Sequence, residues 1–301
     1  MQTVIMGSEA LAAESVDYVI AGGMESMTNA PYLLKKHRSG ARIGHDTAYD
    51  HMFLDGLEDA YEAGRAMGTF AQDTANDYQL TREAQDAYAI GSLKKAQAAI
   101  ESGAFASEIA PVEVAQRSGT VMIDTDEQPM KARFDKIPQL RPAFKKDGTV
   151  TAANASSISD GAAAVVLMRQ SEATKRGLTP LARIVAHTSH AQEPSEFTMA
   201  PIGAIGSLMA KTGWEKDSVD LFEINEAFAV VPMAAIESLG LNAAKVNVNG
   251  GACALGHPIG CSGTRIVVTL LAALANHGKK RGVASLCIGG GEATALAVEL
   301  I

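Results

Sequence analysis

The residues most able to do chemistry lie in one glycine-rich stretch, residues 247–265, which contains five glycines, two cysteines and one histidine. Glycine has no Cβ atom, so the backbone there can turn tightly and approach a ligand closely. Pro258 disfavours a helical conformation for His257, which places the imidazole on a shaped loop. Because an imidazole titrates near neutral pH, His257 is a candidate general base. The alternative, a structural loop histidine, is less favoured among these glycines.

Cys287 is a second candidate, near the end of the apolar run 283–288, which three glycines follow. A cysteine on a strand is usually a small buried apolar side chain. Amides exposed by the glycines can instead lower the pKa of a thiol and form an oxyanion hole. We therefore favour a chemical role, and expect Cys287 to react with iodoacetamide faster than Cys253 and Cys261.

Asn225 follows the apolar run 219–224 and precedes a predicted helix. It can be the N-cap of that helix, since asparagine is favoured at this position. Its carboxamide can also orient a water or a carbonyl group near the site. Spacing along the sequence does not distinguish these two interpretations.

A zinc site is the less favoured interpretation of Cys253, His257, Cys261 and Cys287. The C-x3-H-x3-C spacing differs from structural zinc motifs, and the intervening glycines favour ligand approach over a metal knuckle. The sequence also lacks a GxxxxGK[ST] phosphate-binding loop. We expect no metal, and zinc analysis of the purified protein tests this.

The composition is that of a folded globular protein, with 47% hydrophobic and 20% charged residues among 301. The net charge of −8 argues against a nucleic-acid partner. Three cysteines argue against a disulfide scaffold and indicate a reducing compartment. The apolar run 266–275 is too short to span a membrane, and residues 1–9 lack the basic region of a signal peptide. We expect a cytoplasmic protein without a membrane partner.

The elements that must position these residues alternate between strands and helices from residue 160 onward, which predicts a layered α/β fold. The predicted strands there are 162–168, 181–187, 219–224, 245–249, 283–288 and 294–300. The predicted helices are 171–175, 202–211, 227–239 and 262–277. The first part has a predicted helix at 1–14, a strand at 16–23, an irregular polar excursion at 28–60, and a helix at 82–102 capped by Thr81.

One pattern occurs twice, since residues 1–27 and 261–294 both have the order helix, turn and strand. The first copy continues as Ile20-Ala-Gly-Gly-Met-Glu25 and the second as Ile288-Gly-Gly-Gly-Glu292. They are predicted to be two copies of one supersecondary element. About a hundred residues of alternating strands and helices precede the second copy and none the first, so we expect an incomplete first half.

Five motifs in chain order resemble those of the thiolases, the family of acetyl-CoA acetyltransferases and 3-ketoacyl-CoA thiolases. They are Ala21-Gly-Gly-Met-Glu-Ser-Met27, Asn154-Ala-Ser-Ser-Ile-Ser-Asp-Gly161, Asn225-Glu-Ala-Phe-Ala229, Asn249-Gly-Gly-Ala-Cys-Ala-Leu-Gly-His-Pro-Ile-Gly260 and Cys287-Ile-Gly-Gly-Gly-Glu292. The resemblance covers the whole chain. It implies a layered α-β-α-β-α fold with an inserted loop domain and an incomplete first half. The implied parts are a remnant of the N-terminal half (1–27), a loop domain that covers coenzyme A and includes a tetramerisation loop (28–158), and a C-terminal half (159–301).

The resemblance also implies an enzyme that condenses two acetyl-CoA to acetoacetyl-CoA and catalyses the reverse thiolysis. Acetyl-CoA, acetoacetyl-CoA and coenzyme A are then substrates, with no permanently bound cofactor, and the protein is a homo-oligomer, either a tetramer or a dimer of dimers. His257 would activate a nucleophilic cysteine, and Cys287 would be a second acid and base. Asn225 would hold a water that, with His257, forms an oxyanion hole for the thioester enolate.

Residues around coenzyme A follow from the same resemblance. Ser156 would touch the pantetheine arm, and Met67, Ala227 and Phe228 would line its tunnel. Lys131 and Arg133 are candidates for the phosphate contacts.

The acyl-carrying cysteine of the family lies in a Cys-Gly-Ser-Gly turn that leads into the helix beginning here at Met1. None of the three cysteines of this chain matches it. We expect about ninety residues of the family fold to be absent, with exposed apolar surface and sheet edges as the result. A non-catalytic acyl-CoA-binding protein is therefore the alternative function.

Overall fold

Helices and strands are described here for residues 1–117 and 119–301 of a computed structural model. The helices are α1 (Gln2–Ala12), α2 (Met67–Asp77), α3 (Arg82–Glu101), α4 (Glu127–Lys131), α5 (Gln170–Lys175), α6 (Ala200–Thr212), α7 (Val230–Leu239), α8 (Ala252–Leu255) and α9 (Ile259–Asn276). The strands are β1 (Tyr18–Ser26), β2 (Tyr32–Leu33), β3 (Tyr49–Asp50), β4 (Val112–Gln116), β5 (Gly119–Ile123), β6 (Asp160–Met168), β7 (Ala182–Ala191), β8 (Leu221–Ile224), β9 (Arg281–Ile288) and β10 (Glu292–Leu300).

The larger sheet has the strand order β7-β10-β9-β8, in which only the β8–β9 pairing is parallel among the described residues. Helix α6 packs on one face of this sheet and α7 packs against α6. Ala204, Ile205 and Leu208 of α6 are fully buried there. Because β8 is covered on both faces, it reads as a continuous buried run rather than an alternating one.

Helix α9 lies between the larger sheet and a second sheet formed by β1 and β6. It contacts strands of both sheets, and α1 lies beside β1 and β6. This position explains why α9 has the length and apolar composition of a membrane-crossing helix, although the sequence was expected to contain no such run. Since 56% of it is buried inside the protein, packing in the core accounts for its composition.

The two predicted copies of one element have the same arrangement. Helix α1 precedes β1, which pairs antiparallel with β6, and α9 precedes β9, which pairs antiparallel with β10. The copies differ in the connection, which is residues 27–159 in the first and the three glycines before Glu292 in the second. The predicted division of the chain into residues 1–27, 28–158 and 159–301 stays a prediction. Strand pairing places β6, which that division assigns to the C-terminal half, beside β1 of the first part.

The face of the β1–β6 sheet that points away from α9 is apolar and exposed. Ile20 is 75% exposed and Met24 is 73% exposed, and Val166 lies opposite Ile20 on the same face. Apolar exposure was expected from the sequence. The part of the chain that the structure describes therefore has four of the predicted layers in the predicted order. The outermost of them, the β1–β6 sheet, has no helix on its outer face.

The predicted strand at 245–249 is wrong. Residues Ala243–Lys245 form a 3-10 helix, Val246 makes a single bridge to Phe222, and Asn247 has a positive φ of 47°. The Asn247 side chain accepts from the amide of Ile224 and donates to the carbonyl of Ile224, both at 2.8 Å. A side chain thus replaces the backbone ladder at this point. Helix α2 was not predicted, because no side chain caps its N-terminus at Ala66.

We predict that Leu270→Ala lowers the free energy of unfolding by about 2–5 kcal/mol, because Leu270 is fully buried in α9 and the substitution leaves a cavity. The matched control is Leu181→Ala, where the side chain is 76% exposed, and it should cost less than about 0.5 kcal/mol. Urea denaturation monitored by circular dichroism measures both. Equal losses in the two variants would contradict the assignment of α9 to the core.

Candidate active site

His257 lies on the loop that leads into α9, as its sequence predicted. Gly256 has a positive φ of 90°, and a Cβ atom there would lie 2.0 Å from the Ser159 hydroxyl, so only glycine fits. The His257 amide donates to the carbonyl of Ser157 at 3.2 Å. The Asn154–Gly161 segment therefore holds the loop from one side.

The contacts of the imidazole define which nitrogen is free. Nδ1 of His257 lies 2.5 Å from the hydroxyl of Ser262, and that hydroxyl donates to the carbonyl of Pro258 at 2.9 Å. A serine hydroxyl has one hydrogen, so Nδ1–H must be the donor to Ser262. Nε2 is then left with a lone pair that can accept a proton.

Asn225 contacts this nitrogen, and the structure excludes one of its two interpretations. The following helix begins at Val230 with Ala229 as N-cap, so the N-cap interpretation of Asn225 is wrong. Its Nδ2 lies 3.3 Å from Nε2 of His257 and donates to it. Its Oδ1 is buried and has no partner within residues 1–117 and 119–301. That oxygen is available to accept a hydrogen bond from a water or a ligand.

Burial keeps the His257 imidazole neutral. Desolvation is the larger cause and the positive charge of Arg265 is the smaller one, and together they lower the pKa of His257 to about 4. A neutral imidazole with Nδ1–H fixed presents Nε2 as a proton acceptor throughout the neutral pH range.

Cys287 differs from what was expected. Its side chain is only 6% exposed, and burial raises the pKa of the thiol to about 12. A backbone hydrogen bond at Cys287 lowers the pKa, but by less than burial raises it. The expectation that neighbouring amides would produce a reactive thiolate is therefore wrong, because desolvation of the charged form dominates.

Strand pairing brings Cys287 to the same end of the sheet as Asn225. The amide of Asn225 donates to the carbonyl of Ser285 at 3.0 Å. Cys287 follows two residues later on β9, so its side chain points to the same face as that of Ser285, roughly 7 Å further along. Cys287 and Asn225, which contacts His257, thus lie at the same end of the larger sheet, where β8 and β9 end.

The residues predicted to line a coenzyme A tunnel are also brought together. Ser156 donates to the carbonyl of Ala227 from its amide at 3.0 Å and from its hydroxyl at 2.9 Å. Met67, Ala227, Phe228 and Cys287 belong to one cluster of buried apolar residues. Phe228 also meets Phe144 edge to face, with ring centroids 6.0 Å apart.

The candidate phosphate contacts are paired with acidic side chains instead. Nζ of Lys131 lies 2.5 Å from Glu127, and the guanidinium of Arg133 lies 3.4 Å from Asp135. Both basic side chains are mostly exposed. Lys131 and Arg133 stay candidates for the phosphate contacts of coenzyme A, and the structure gives no reason to prefer them over other basic residues.

Two residues that hold the site were missed from the sequence. Ser262 fixes the imidazole tautomer, and a serine in the first turn of a helix gives no signal of that role. Glu226 is fully buried between Asn225 and Ala227. Residues 219–236 are mostly apolar but contain the acidic residues Asp220, Glu223 and Glu226, and this was the signal that could have pointed to a buried, partnered carboxylate, since an unpaired buried charge is costly.

The cysteines do not form an evident metal site. Cys253, Cys261 and Cys287 are free and buried, and burial also raises the pKa of the first two thiols. Among the residues that the structure describes, no group of three or more His, Cys, Asp or Glu side chains is arranged to hold a metal ion.

Comparison with known proteins adds to this geometry. Residues 1–171 match the family described as thiolase, N-terminal domain, and residues 178–300 match thiolase, C-terminal domain. The chain is 48% identical over 300 residues to a probable acetyl-CoA acetyltransferase of Dictyostelium discoideum, covering 99% of this chain and 72% of the relative. It resembles the crystal structure of the Bacillus anthracis acetyl-CoA acetyltransferase with a TM-score of 0.96 at 40% identity, covering 100% of this chain and 76% of that one. It also resembles Acat5 thiolase from Ascaris suum in complex with coenzyme A, with a TM-score of 0.93 at 43% identity and the same coverage.

We predict that Cys287 of the folded protein reacts with iodoacetamide at least about 10-fold more slowly at pH 8 than in the unfolded protein. With a pKa of about 12, only about one thiol in 10⁴ is ionised at that pH. Mass spectrometry of the peptide that contains Cys287 measures the rates in buffer and in guanidinium. Labelling at the same rate in both would show that the thiol is neither buried nor raised in pKa.

Proposed function

The chain belongs to the thiolase family, and we propose that it acts in acyl transfer between thioesters of coenzyme A. The reaction is the condensation of two acetyl-CoA to acetoacetyl-CoA and its reverse, thiolysis. The observation that carries the proposal is the neutral, partly buried imidazole of His257, whose unprotonated Nε2 lies beside Asn225.

His257 is proposed as the base for the thiol that carries the acyl group. Nε2 removes the thiol proton, the thiolate attacks the carbonyl carbon of the acyl donor, and the proton passes from His257 to the departing coenzyme A sulfur. The family's acyl-carrying cysteine lies in a Cys-Gly-Ser-Gly turn, and none of Cys253, Cys261 and Cys287 lies in such a sequence.

Cys287 is proposed as the acid in thiolysis and the base in condensation. Its raised pKa keeps the thiol protonated, which is the form that can protonate the acetyl carbanion released by cleavage of the carbon–carbon bond. In condensation the same sulfur, once ionised, is basic enough to remove a proton from the weakly acidic α-carbon of acetyl-CoA.

Asn225 is proposed to hold the water of an oxyanion hole. Its buried Oδ1 has a free acceptor position in the described part of the chain. A water that donates one hydrogen to Oδ1 can donate the other to the thioester oxygen as negative charge develops there. After His257 has taken a proton, Nε2–H no longer accepts from Nδ2 of Asn225 and is proposed to donate to the same thioester oxygen.

Coenzyme A and its acyl esters are the proposed ligands, with the pantetheine arm along Ser156, Met67, Ala227 and Phe228. The support is that these residues meet on the side of the site where Cys287 lies. A solved relative from Ascaris suum, in complex with coenzyme A, has the same fold as this chain.

A cytoplasmic homo-oligomer is also proposed, a tetramer or a dimer of dimers. The support for the oligomer is the excursion at residues 28–60, where β2 and β3 form an exposed hairpin and Ile43 is fully exposed. Light scattering of the purified protein measures the mass, and a monomer at micromolar concentration would contradict this.

A second candidate is a protein that binds acyl-CoA without turnover. The observation that favours it is that all three thiols are buried and have raised pKa values, which makes each a poor nucleophile.

Thiolysis of acetoacetyl-CoA distinguishes the two candidates. We would assay the 301-residue chain and the same chain preceded by the Cys-Gly-Ser-Gly segment of a relative. The control carries Ala-Gly-Ser-Gly instead, which removes only the thiol. Turnover in the Cys-Gly-Ser-Gly form and none in the Ala-Gly-Ser-Gly control supports acyl transfer through the added cysteine. Turnover in the 301-residue chain itself supports acyl transfer through one of its own three thiols. Binding of acyl-CoA with no turnover in any form would support the second candidate.

We predict that His257→Ala lowers kcat of the active form roughly 10²-fold or more, because the general base is lost. The matched control is His277→Ala, since His277 lies exposed at the end of α9 and away from Nε2 of His257. Steady-state kinetics of thiolysis measure both. An unchanged kcat in His257→Ala would remove His257 from the mechanism.

A further inference from the structure

The carboxylate of Glu226 is fully buried and accepts four hydrogen bonds. Oε1 accepts from the Tyr88 hydroxyl at 3.1 Å and from Nδ2 of Asn247 at 2.9 Å. Oε2 accepts from the Ser92 hydroxyl at 2.7 Å and from the amide of Cys253 at 3.0 Å. Such a set of donors satisfies an ionised carboxylate in the interior.

The four donors come from two other parts of the chain. Tyr88 and Ser92 lie one turn apart on α3, within the long insertion between β1 and β6. Asn247 and Cys253 lie in the glycine-rich stretch that continues to His257. The residue before Glu226 is Asn225, so one carboxylate joins the segments that carry both members of the Asn225–His257 contact.

The glycine-rich stretch is shaped around this carboxylate. A Cβ atom on Gly251 would lie 2.3 Å from Cδ of Glu226, so a side chain there would displace the carboxylate. The amide of Gly251 donates to the Ser92 hydroxyl at 2.9 Å, which completes a chain of hydrogen bonds from the loop through Ser92 to Glu226. Lys95, one turn after Ser92 on α3, donates to the carbonyl of Val246 at 3.0 Å and fixes the start of the same stretch.

We infer that Glu226 is a positioning residue for the acyl-transfer site. By joining the loops of Asn225 and His257 to α3, the Glu226 carboxylate holds Nδ2 of Asn225 at hydrogen-bond distance from Nε2 of His257. This inference rests on the proposed function for its catalytic consequence. The joining itself involves atoms that do not touch substrate, so Glu226 acts through Asn225 and His257.

A glutamine at this position keeps the shape but not the pattern of acceptors. Asn247 Nδ2 approaches one oxygen and the Cys253 amide approaches the other. The backbone amide cannot accept, and a flip that turned Oδ1 of Asn247 toward residue 226 would break both of its bonds to Ile224. Whichever oxygen becomes NH₂ in Glu226→Gln, one donor faces another donor and loses its partner. The two loops should then separate and admit water to His257.

The test is a histidine NMR titration of ¹⁵N-labelled protein, which needs no turnover. In the wild-type protein the His257 ring should stay neutral down to about pH 5, because burial lowers its pKa to about 4. In Glu226→Gln the ring becomes hydrated, so its pKa should rise by at least about one unit toward the ordinary value near 6.5. His257→Asn assigns the resonance by its loss. Glu237→Gln, an exposed site on α7 with the same change in charge, should leave the titration unchanged.

Kinetics of the form that is active in thiolysis provide a second measurement. Glu226→Gln should lower kcat about 10-fold or more with KM for acetoacetyl-CoA within about twofold, since the reacting groups and not the ligand contacts are displaced. A variant that is only partly folded would lower the apparent kcat but leave the His257 titration of its folded fraction unchanged. If no form turns over, the proposed function fails, and the titration still decides the positioning role.

An unchanged His257 titration in folded Glu226→Gln would overturn the inference. If Glu226→Gln does not fold, Ser92→Ala decides, because it removes the link between Gly251 and the carboxylate and keeps the charge. A raised His257 pKa in folded Ser92→Ala supports the inference, and an unchanged one overturns it.

Discussion

Helix α9 has apolar side chains on most of its surface because sheets lie against it on two sides, and its first turn is held even more closely than the rest. A Cβ atom on Gly23 of β1 would lie 1.9 Å from the carbonyl of Gly260, and one on Gly263 would lie 2.0 Å from the backbone nitrogen of Met1. Backbone thus packs directly on backbone where α9 begins. Ser262 is in that turn, so the group that fixes the His257 tautomer is held by the core and not by the loop.

Burial acts on the two ionisable groups of the site in opposite directions, and both outcomes suit acid–base chemistry. Removing water disfavours the charged form of each, which is the imidazolium for His257 and the thiolate for Cys287. The result is a proton acceptor and a proton donor at the same end of the sheet. The nearby Arg265 strengthens the effect on His257, and it lies 3.9 Å from the buried Glu223, whose pKa is raised to about 8.

Much of the fold could be predicted because strands and helices of the second half are marked by apolar runs and glycines, and the predicted helix over 82–102 agrees with α3 to one residue. The site was harder for physical reasons. Asparagine suits both an N-cap and a catalytic contact, so residue type could not assign Asn225. Amides near Cys287 are visible in the sequence, whereas the burial that outweighs them is not. Backbone hydrogen bonding between strands stops at Asn247, because the Asn247 side chain takes the place of a backbone group there. Hydrophobic periodicity in a sequence gives no signal of such a replacement.

The two antiparallel hairpins differ in what their closure costs the folding chain. Three glycines connect β9 to β10, whereas residues 27–159, roughly 130 residues, separate β1 from β6. Loop-closure entropy makes the longer connection less favourable by about 3 kcal/mol for flexible chains. The second hairpin can therefore form early and locally, and the first must wait until the insertion between its strands has condensed. The order of assembly follows from connection length, although both strand pairs have the same antiparallel arrangement once folded.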